Sequence, residues 1–130
     1  MDKPYRGICK TFIDYEVNMK QYTTPEQTAK LIELGFEKPK SIEKMIPQPV
    51  VDGYVHLVPQ KAYSIVELID ILMTIKGVRI SFDSKFGGRL TLIVKRLVGD
   101  KWDILYGNVS KELVDLLFDA IVKLKEKGVI

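Results

Sequence analysis

The sequence holds few of the residues that build disulfide frameworks or metal sites. It has one cysteine, Cys9, and one histidine, His56, among 130 residues. A lone cysteine forms no internal disulfide, and these two residues cannot supply the four ligands of a structural zinc site. We therefore expect a protein of a reducing compartment, with no metal and no cofactor.

Long apolar runs and a strong charge of one sign are also missing. The most apolar stretch, residues 65–75, is interrupted by Glu67 and Asp70 and has about half the roughly 20 residues that a membrane-spanning helix requires. Residues 1–11 contain no apolar segment typical of a signal peptide. With 46% hydrophobic residues and a net charge of +3, the chain is not typical of disordered proteins. We expect a cytoplasmic globular protein that does not bind membranes.

Two capping boxes predict helix starts in the first half of the chain. Thr24 is followed three residues later by Gln27, and Ser64 by Glu67, the spacing at which side chains and backbone N–H groups satisfy each other. The first helix is expected to end at Gly35, since glycine suits the left-handed conformation that closes helices. The second is expected to extend to about residue 75.

A third helix of about eighteen residues is predicted near the C-terminus. Asn108 or Ser110 can cap it, an apolar stripe follows, and Gly128 ends it. Between residues 36 and 60, five prolines and glycines interrupt helical continuity, so we expect a long connection with one weak strand.

Alternating apolar residues predict three strands between the last two helices. The alternating positions are Val78, Ile80 and Phe82; Leu90, Leu92 and Val94; and Trp102, Ile104 and Tyr106. Short turns favour an antiparallel three-stranded meander, covered on one face by about three helices. The predicted fold is α+β, with residues 1–22 as an N-terminal segment, in which residues 11–15 add an edge strand, and residues 23–130 as a single domain.

The meander is the basic part of the chain. Between residues 79 and 101, six basic side chains against two acidic ones leave +4, more than the +3 of the whole sequence. Strand alternation places several of them on an outward face, from which they could contact phosphates. The candidate nucleic-acid-binding residues are Arg79, Lys85, Arg89, Lys95 and Arg96.

Catalytic signatures are lacking, and no catalytic residue is predicted. His56 has an apolar sequence environment and no accompanying nucleophile motif, and Asp115 and Asp119 form an ordinary helical charge row with Lys123. No phosphate-binding glycine loop occurs.

Trp102, Tyr106, Tyr54 and Tyr63 could form an exposed aromatic surface for a partner. Core packing is favoured for Trp102, since it shares an alternating row with apolar neighbours.

Three segments resemble small hypothetical proteins of the Bacteroides group, many of them encoded in prophages or other mobile elements. The segments are residues 26–36 (EQTAKLIELGF), residues 63–69 (YSIVELI), and the closing stretch from Glu112 to Gly128. The resemblance implies a shared fold and origin and brings no active site, because these motifs are caps and amphipathic helices.

The sequence therefore predicts a non-enzymatic accessory or interaction protein of a phage-like or mobile element. A protein partner is expected, and homo-oligomer formation is compatible with it. One alternative is a nucleic-acid-binding accessory protein that uses the basic meander, residues 79–101. A second is a small enzyme with His56 as acid or base.

Overall fold

The computed structural model describes residues 20–49, 53–85 and 88–130, which form three helices and five strands. The helices are α1 (Pro25–Glu33), α2 (Ile65–Leu72) and α3 (Leu113–Glu126). The strands are β1 (Ile42–Pro49), β2 (Val55–Lys61), β3 (Val78–Lys85), β4 (Arg89–Val98) and β5 (Lys101–Ser110). The expected α+β class is confirmed. The predicted edge strand at residues 11–15 lies outside the described residues.

Both capping boxes are present at the predicted helix starts. The Thr24 hydroxyl accepts from the Gln27 N–H while the Gln27 side chain accepts from the Thr24 N–H, and Ser64 pairs with Glu67 in the same way. Gly35 follows α1 with a φ of 99°, a left-handed conformation that glycine adopts without strain. Local sequence thus determines where α1 and α2 begin.

The start of α3 differs from the prediction. Its N-cap is Glu112, which makes no side-chain capping bond, and neither Asn108 nor Ser110 caps the helix. These two residues belong to β5 and pair with Leu92 and Leu90. Pairing along the whole length of β4 therefore extends the sheet into the segment from which the helix was expected to start, and α3 has 14 residues.

The meander forms an antiparallel sheet in the order β3-β4-β5, as predicted. Its register is regular between β3 and β4, whereas β5 has an irregularity opposite Val94 and Lys95. There Val94 pairs with Tyr106 and Lys95 with Ile104, so Leu105 has no partner. Such a bulge shifts the alternation of a strand by one residue. Positions 102 and 104 of β5 therefore do not share a face with Tyr106.

The core lies between one face of this sheet and the helices. On the sheet side, Leu92, Val94 and Tyr106 are buried, and α3 covers them with a stripe of fully buried residues. The Tyr106 hydroxyl donates to Asp119 Oδ2 at 2.7 Å. Burial raises the pKa of Tyr106, and the hydrogen bond to the Asp119 carboxylate raises it further. The buried α3 residues are Val114, Leu116, Leu117, Ala120, Ile121 and Leu124.

The prediction of one weak strand between residues 36 and 60 is wrong, because this segment forms the β1–β2 hairpin. Its antiparallel pairs include Met45 with Pro59, Pro47 with Leu57, and Pro49 with Val55. A proline cannot donate a ladder bond, but it fits positions whose N–H points to the outer edge of a strand. The three proline-containing pairs are two residues apart in the register, so the backbone nitrogens of all three prolines point to an outer edge. The prolines therefore do not break the hairpin.

An ion pair connects the chain before α1 to α3. Lys20 Nζ lies 2.6 Å from Asp115 Oδ1, which also accepts from the Gln27 side chain at 2.8 Å. Burial opposes ionisation of Asp115, but the bonds from Lys20 and Gln27 outweigh it and hold the pKa of this carboxyl below its usual value.

Truncation of the core stripe of α3 tests this packing. Leu117 is fully buried, so we expect Leu117→Ala to lower the free energy of unfolding by about 2–5 kcal/mol through lost burial and a residual cavity. The control Val66→Ala removes an exposed apolar side chain and should change stability by less than about 0.5 kcal/mol. Urea unfolding measures both, and equal effects would contradict the assignment of the core.

The Asp115 ion pair should make stability depend on pH. Because the pKa of Asp115 is lower in the folded state than the usual 3.8, its stabilising contribution is complete at neutral pH and disappears as pH falls below that value. The stability difference between wild type and Asp115→Asn should therefore shrink from pH 7 to pH 3. Lys20→Met removes the cation of the pair and should likewise reduce the loss of stability between pH 7 and pH 3. A difference that is constant with pH in urea titrations would contradict the pair.

Candidate interaction surfaces

The face of the meander opposite the helices brings predicted basic residues together. In the β3–β4 register Arg79 pairs with Lys95, and Lys85 pairs with Arg89. Directly paired residues of an antiparallel sheet share a face, and by alternation all four positions lie on the face that does not contain buried Leu92 and Val94. We call this surface the outer face of the meander.

Trp102 lies on the outer face beside two of these cations. The Lys95 ammonium is 5.0 Å and the Arg79 guanidinium 5.4 Å from the centre of the Trp102 ring, distances typical of cation–π contacts. The ring is 44% exposed. Three strands thus contribute one residue each to a cluster of two cations and one indole.

Arg96 does not belong to this cluster. It pairs with Val78 and Asp103 in register, so its side chain is on the helix side of the sheet. Its Nη2 lies 3.6 Å from Asp103 Oδ2, and its Nε is buried without a hydrogen-bond partner among the described residues. Of the five predicted residues, four share a face, and Arg96 supports the end of the sheet.

The expected core position of Trp102 is wrong, and the β5 bulge is the reason. Tyr106 is buried, whereas Ile104 is 69% exposed and Trp102 lies on the outer face. Strict alternation would have put all three on one side. The sequence gives no clear signal for a bulge here, so Trp102 is the site residue that sequence reasoning missed.

The hairpin presents a second uncovered surface. Alternation and register place six uncharged, apolar residues on one of its faces, which we call the hairpin apolar face. Val55 and Leu57 are 65% and 61% exposed, and neither strand makes an extended contact with another described element. The members of this face are Met45, Pro47, Pro49, Val55, Leu57 and Pro59.

Prolines on both strands also limit how the hairpin can be approached. Pro47 and Pro49 remove N–H groups from the outer edge of β1, and Pro59 removes one from that of β2. An edge without these donors is a poor template for an additional strand. The prolines therefore disfavour the addition of a further strand at either edge of the hairpin.

His56 lies on the opposite face of the hairpin, paired with Gln48, and is exposed. The enzyme alternative gains no support from this placement.

An open cleft of about 440 Å³ lies beside α2, lined in part by Phe36, Lys40 and Asp70. Two of its other polar side chains, Glu67 and Tyr63, already have structural partners. Glu67 caps α2 and accepts from the Lys40 N–H at 2.9 Å, and the Tyr63 hydroxyl donates to the Glu37 carbonyl. The cleft is therefore a weaker candidate for a site than either uncovered face.

Within residues 20–49, 53–85 and 88–130, no group of three or more His, Cys, Asp or Glu side chains is arranged to hold a metal ion. No helix in this part of the chain is long and apolar enough to cross a membrane. The chain matches no protein-family model, no curated protein and no solved structure. The resemblance to Bacteroides mobile-element proteins stays a prediction.

Collisional quenching of Trp102 tests the exposed cationic cluster. Because Arg79 and Lys95 lie over the indole, iodide should quench its fluorescence more strongly than caesium does, and the Arg79→Gln/Lys95→Gln variant should reduce this preference. Arg89→Gln removes the same kind of charge about 20 Å away along β4, beyond the Debye length at 0.1 M salt, and should leave it unchanged. Weak quenching by both ions would contradict the exposed position.

Proposed function

We propose that this chain is a non-enzymatic interaction protein of the cytoplasm, an accessory of a phage-like or mobile element, and that the β1–β2 hairpin is its contact arm. The observation that carries the proposal is the uncovered hairpin apolar face. Exposed apolar patches of this kind are typical of protein interaction sites. A two-stranded hairpin is also only marginally stable in water, and contact with a partner stabilises it.

The partner that fits this face best is a second copy of the chain. In a two-fold contact, each residue near the axis meets its own copy, so a charge there would face a like charge. Although 28% of the chain is charged, these six residues are all uncharged, and the one cation that register adds to this face is Lys61, opposite Ile42 at the end of the hairpin. Two such faces can stack about 10 Å apart as the two layers of a β-sandwich.

The size of the face predicts a weak dimer. An eight-residue strand is roughly 27 Å long, and two paired strands form a surface about 10 Å wide. That area is below the roughly 800 Å² per partner of a standard stable interface. We therefore expect dissociation constants in the micromolar range or weaker, with assembly that depends on concentration.

A charged substitution on the hairpin apolar face tests the proposal. Wild type should shift from monomer to dimer in sedimentation experiments between about 1 and 500 µM, whereas Leu57→Asp should stay monomeric because an aspartate would be buried without a partner. His56→Asp places the same side chain on the neighbouring residue of the opposite face and should dimerise like wild type. Circular dichroism should show all three folded, since Leu57 is outside the core.

Two results would overturn this function. A wild-type monomer at 500 µM would contradict pairing through the hairpin. Equal loss of the dimer in Leu57→Asp and His56→Asp would show that the contact lies elsewhere, or that an added negative charge on either face prevents dimerisation.

A further inference from the structure

The outer face of the meander is a cationic surface that no described element covers. The helices pack on the other side of the sheet. By register, this face has Arg79, Lys85, Arg89 and Lys95 against a single carboxylate, Asp83. A partner that matches this surface is anionic.

An anionic partner that matches the whole outer face of the meander also carries planar groups. Trp102 adds a partly exposed indole beside Lys95 and Arg79, and apolar neighbours on the same face are exposed: Leu97, Ile104 and Val109. Phosphates alone would need only the basic side chains. Surfaces that combine a basic groove with an aromatic platform are typical of single-stranded nucleic acid binding, because every base has a face that stacks.

The geometry favours a single strand over a duplex. The bases of a duplex are stacked on each other, so an indole on a sheet cannot reach their planar faces, whereas a single strand can turn its bases toward the protein. From Lys95 to Arg89 the face extends about 20 Å along β4. This length suits a short segment, at the lower end of the roughly 4–16 nucleotides that single-strand-binding folds cover.

We propose that the outer face of the meander binds single-stranded DNA or RNA, with Trp102 stacking on a base and Arg79, Arg89 and Lys95 contacting phosphates on either side. The cations over the indole are at the ends of flexible side chains and can move to a phosphate when a base takes their place on the ring. Lys85, paired with Arg89, adds a further positive position at the far end. Arg96 has no part in this site, because it faces Asp103 on the helix side.

This inference is independent of the hairpin. The two surfaces belong to separate sheets, and Leu57→Asp, which should abolish dimers, leaves every residue of the outer face unchanged. Nucleic acid binding by the Leu57→Asp monomer therefore tests the outer face even if the hairpin proposal fails.

Intrinsic fluorescence offers a direct test, because Trp102 is the one tryptophan of the sequence. Titration with oligo(dT), oligo(dA) and oligo(rU) of about ten nucleotides at 50 mM salt should quench the indole emission saturably. With three to four phosphate contacts, affinity should fall about 20- to 50-fold between 50 and 200 mM salt. The separate DNA and RNA titrations establish which of the two sugars is preferred.

Variants separate the stacking contribution from the charge contribution, with fluorescence anisotropy of labelled oligonucleotides as the readout. Trp102→Ala should weaken binding roughly 5- to 150-fold at constant salt, and Trp102→Phe should retain most of it. Arg79→Gln/Lys95→Gln should weaken binding and also lower the slope of log affinity against log salt concentration, by the amount expected for about two phosphate contacts. The matched control Lys76→Gln/Lys101→Gln removes the same charge outside the face and should leave the affinity within about two-fold.

Three outcomes would overturn the proposal. The first is no quenching at 50 mM salt with up to about 100 µM oligonucleotide. The second is binding that Trp102→Ala leaves unchanged and that heparin or a duplex of the same length matches, which would reduce the surface to a general polyanion site. The third is an equal loss of affinity in the control pair, which would place the contact elsewhere.

Discussion

Burial of α3 against one face of the meander is the contact on which the other features of this protein depend. Leu117 and Ile121 are fully buried against a sheet whose inward residues include Leu92 and Val94. Since the helices cover only that side, one face of the sheet is buried and the other is exposed to solvent. Within this packing, the hydroxyl of buried Tyr106 donates to Asp119 of α3.

This one-sided arrangement determines where function can be located. The outer face of the meander retains its cations and its indole in contact with solvent. The hairpin extends from the connection between α1 and α2 and makes no extended contact with another described element. One surface is cationic and aromatic, and the other is uncharged and apolar. Because the two surfaces share no residue, the proposed nucleic acid contact and the proposed dimer contact do not compete with each other.

The two proposals also reinforce each other physically. A dimer formed through the hairpins presents two outer faces, and two linked sites on one strand raise apparent affinity without any new contact. A weak hairpin dimer and a short, weak nucleic acid site would then respond together to protein concentration. Loss of the hairpin contact would leave each single site intact.

The amino-acid sequence was sufficient to predict the elements that depend on neighbouring residues: the capping boxes at Thr24 and Ser64, the left-handed Gly35, and the period-two meander with its excess of positive charge. These follow from local hydrogen bonding and from alternation. The sequence did not predict the start of α3, because pairing between β4 and β5 extends the sheet into that segment. Nor did it predict the hairpin, because prolines are compatible with a strand only where their backbone nitrogens face an outer edge. The position of Trp102 beside Arg79 and Lys95 came only from the folded chain, because a single unpaired residue, Leu105, shifts which side chains of β5 face the solvent. Arg96 lies on the other face because it directly follows Lys95 in β4, where consecutive residues alternate.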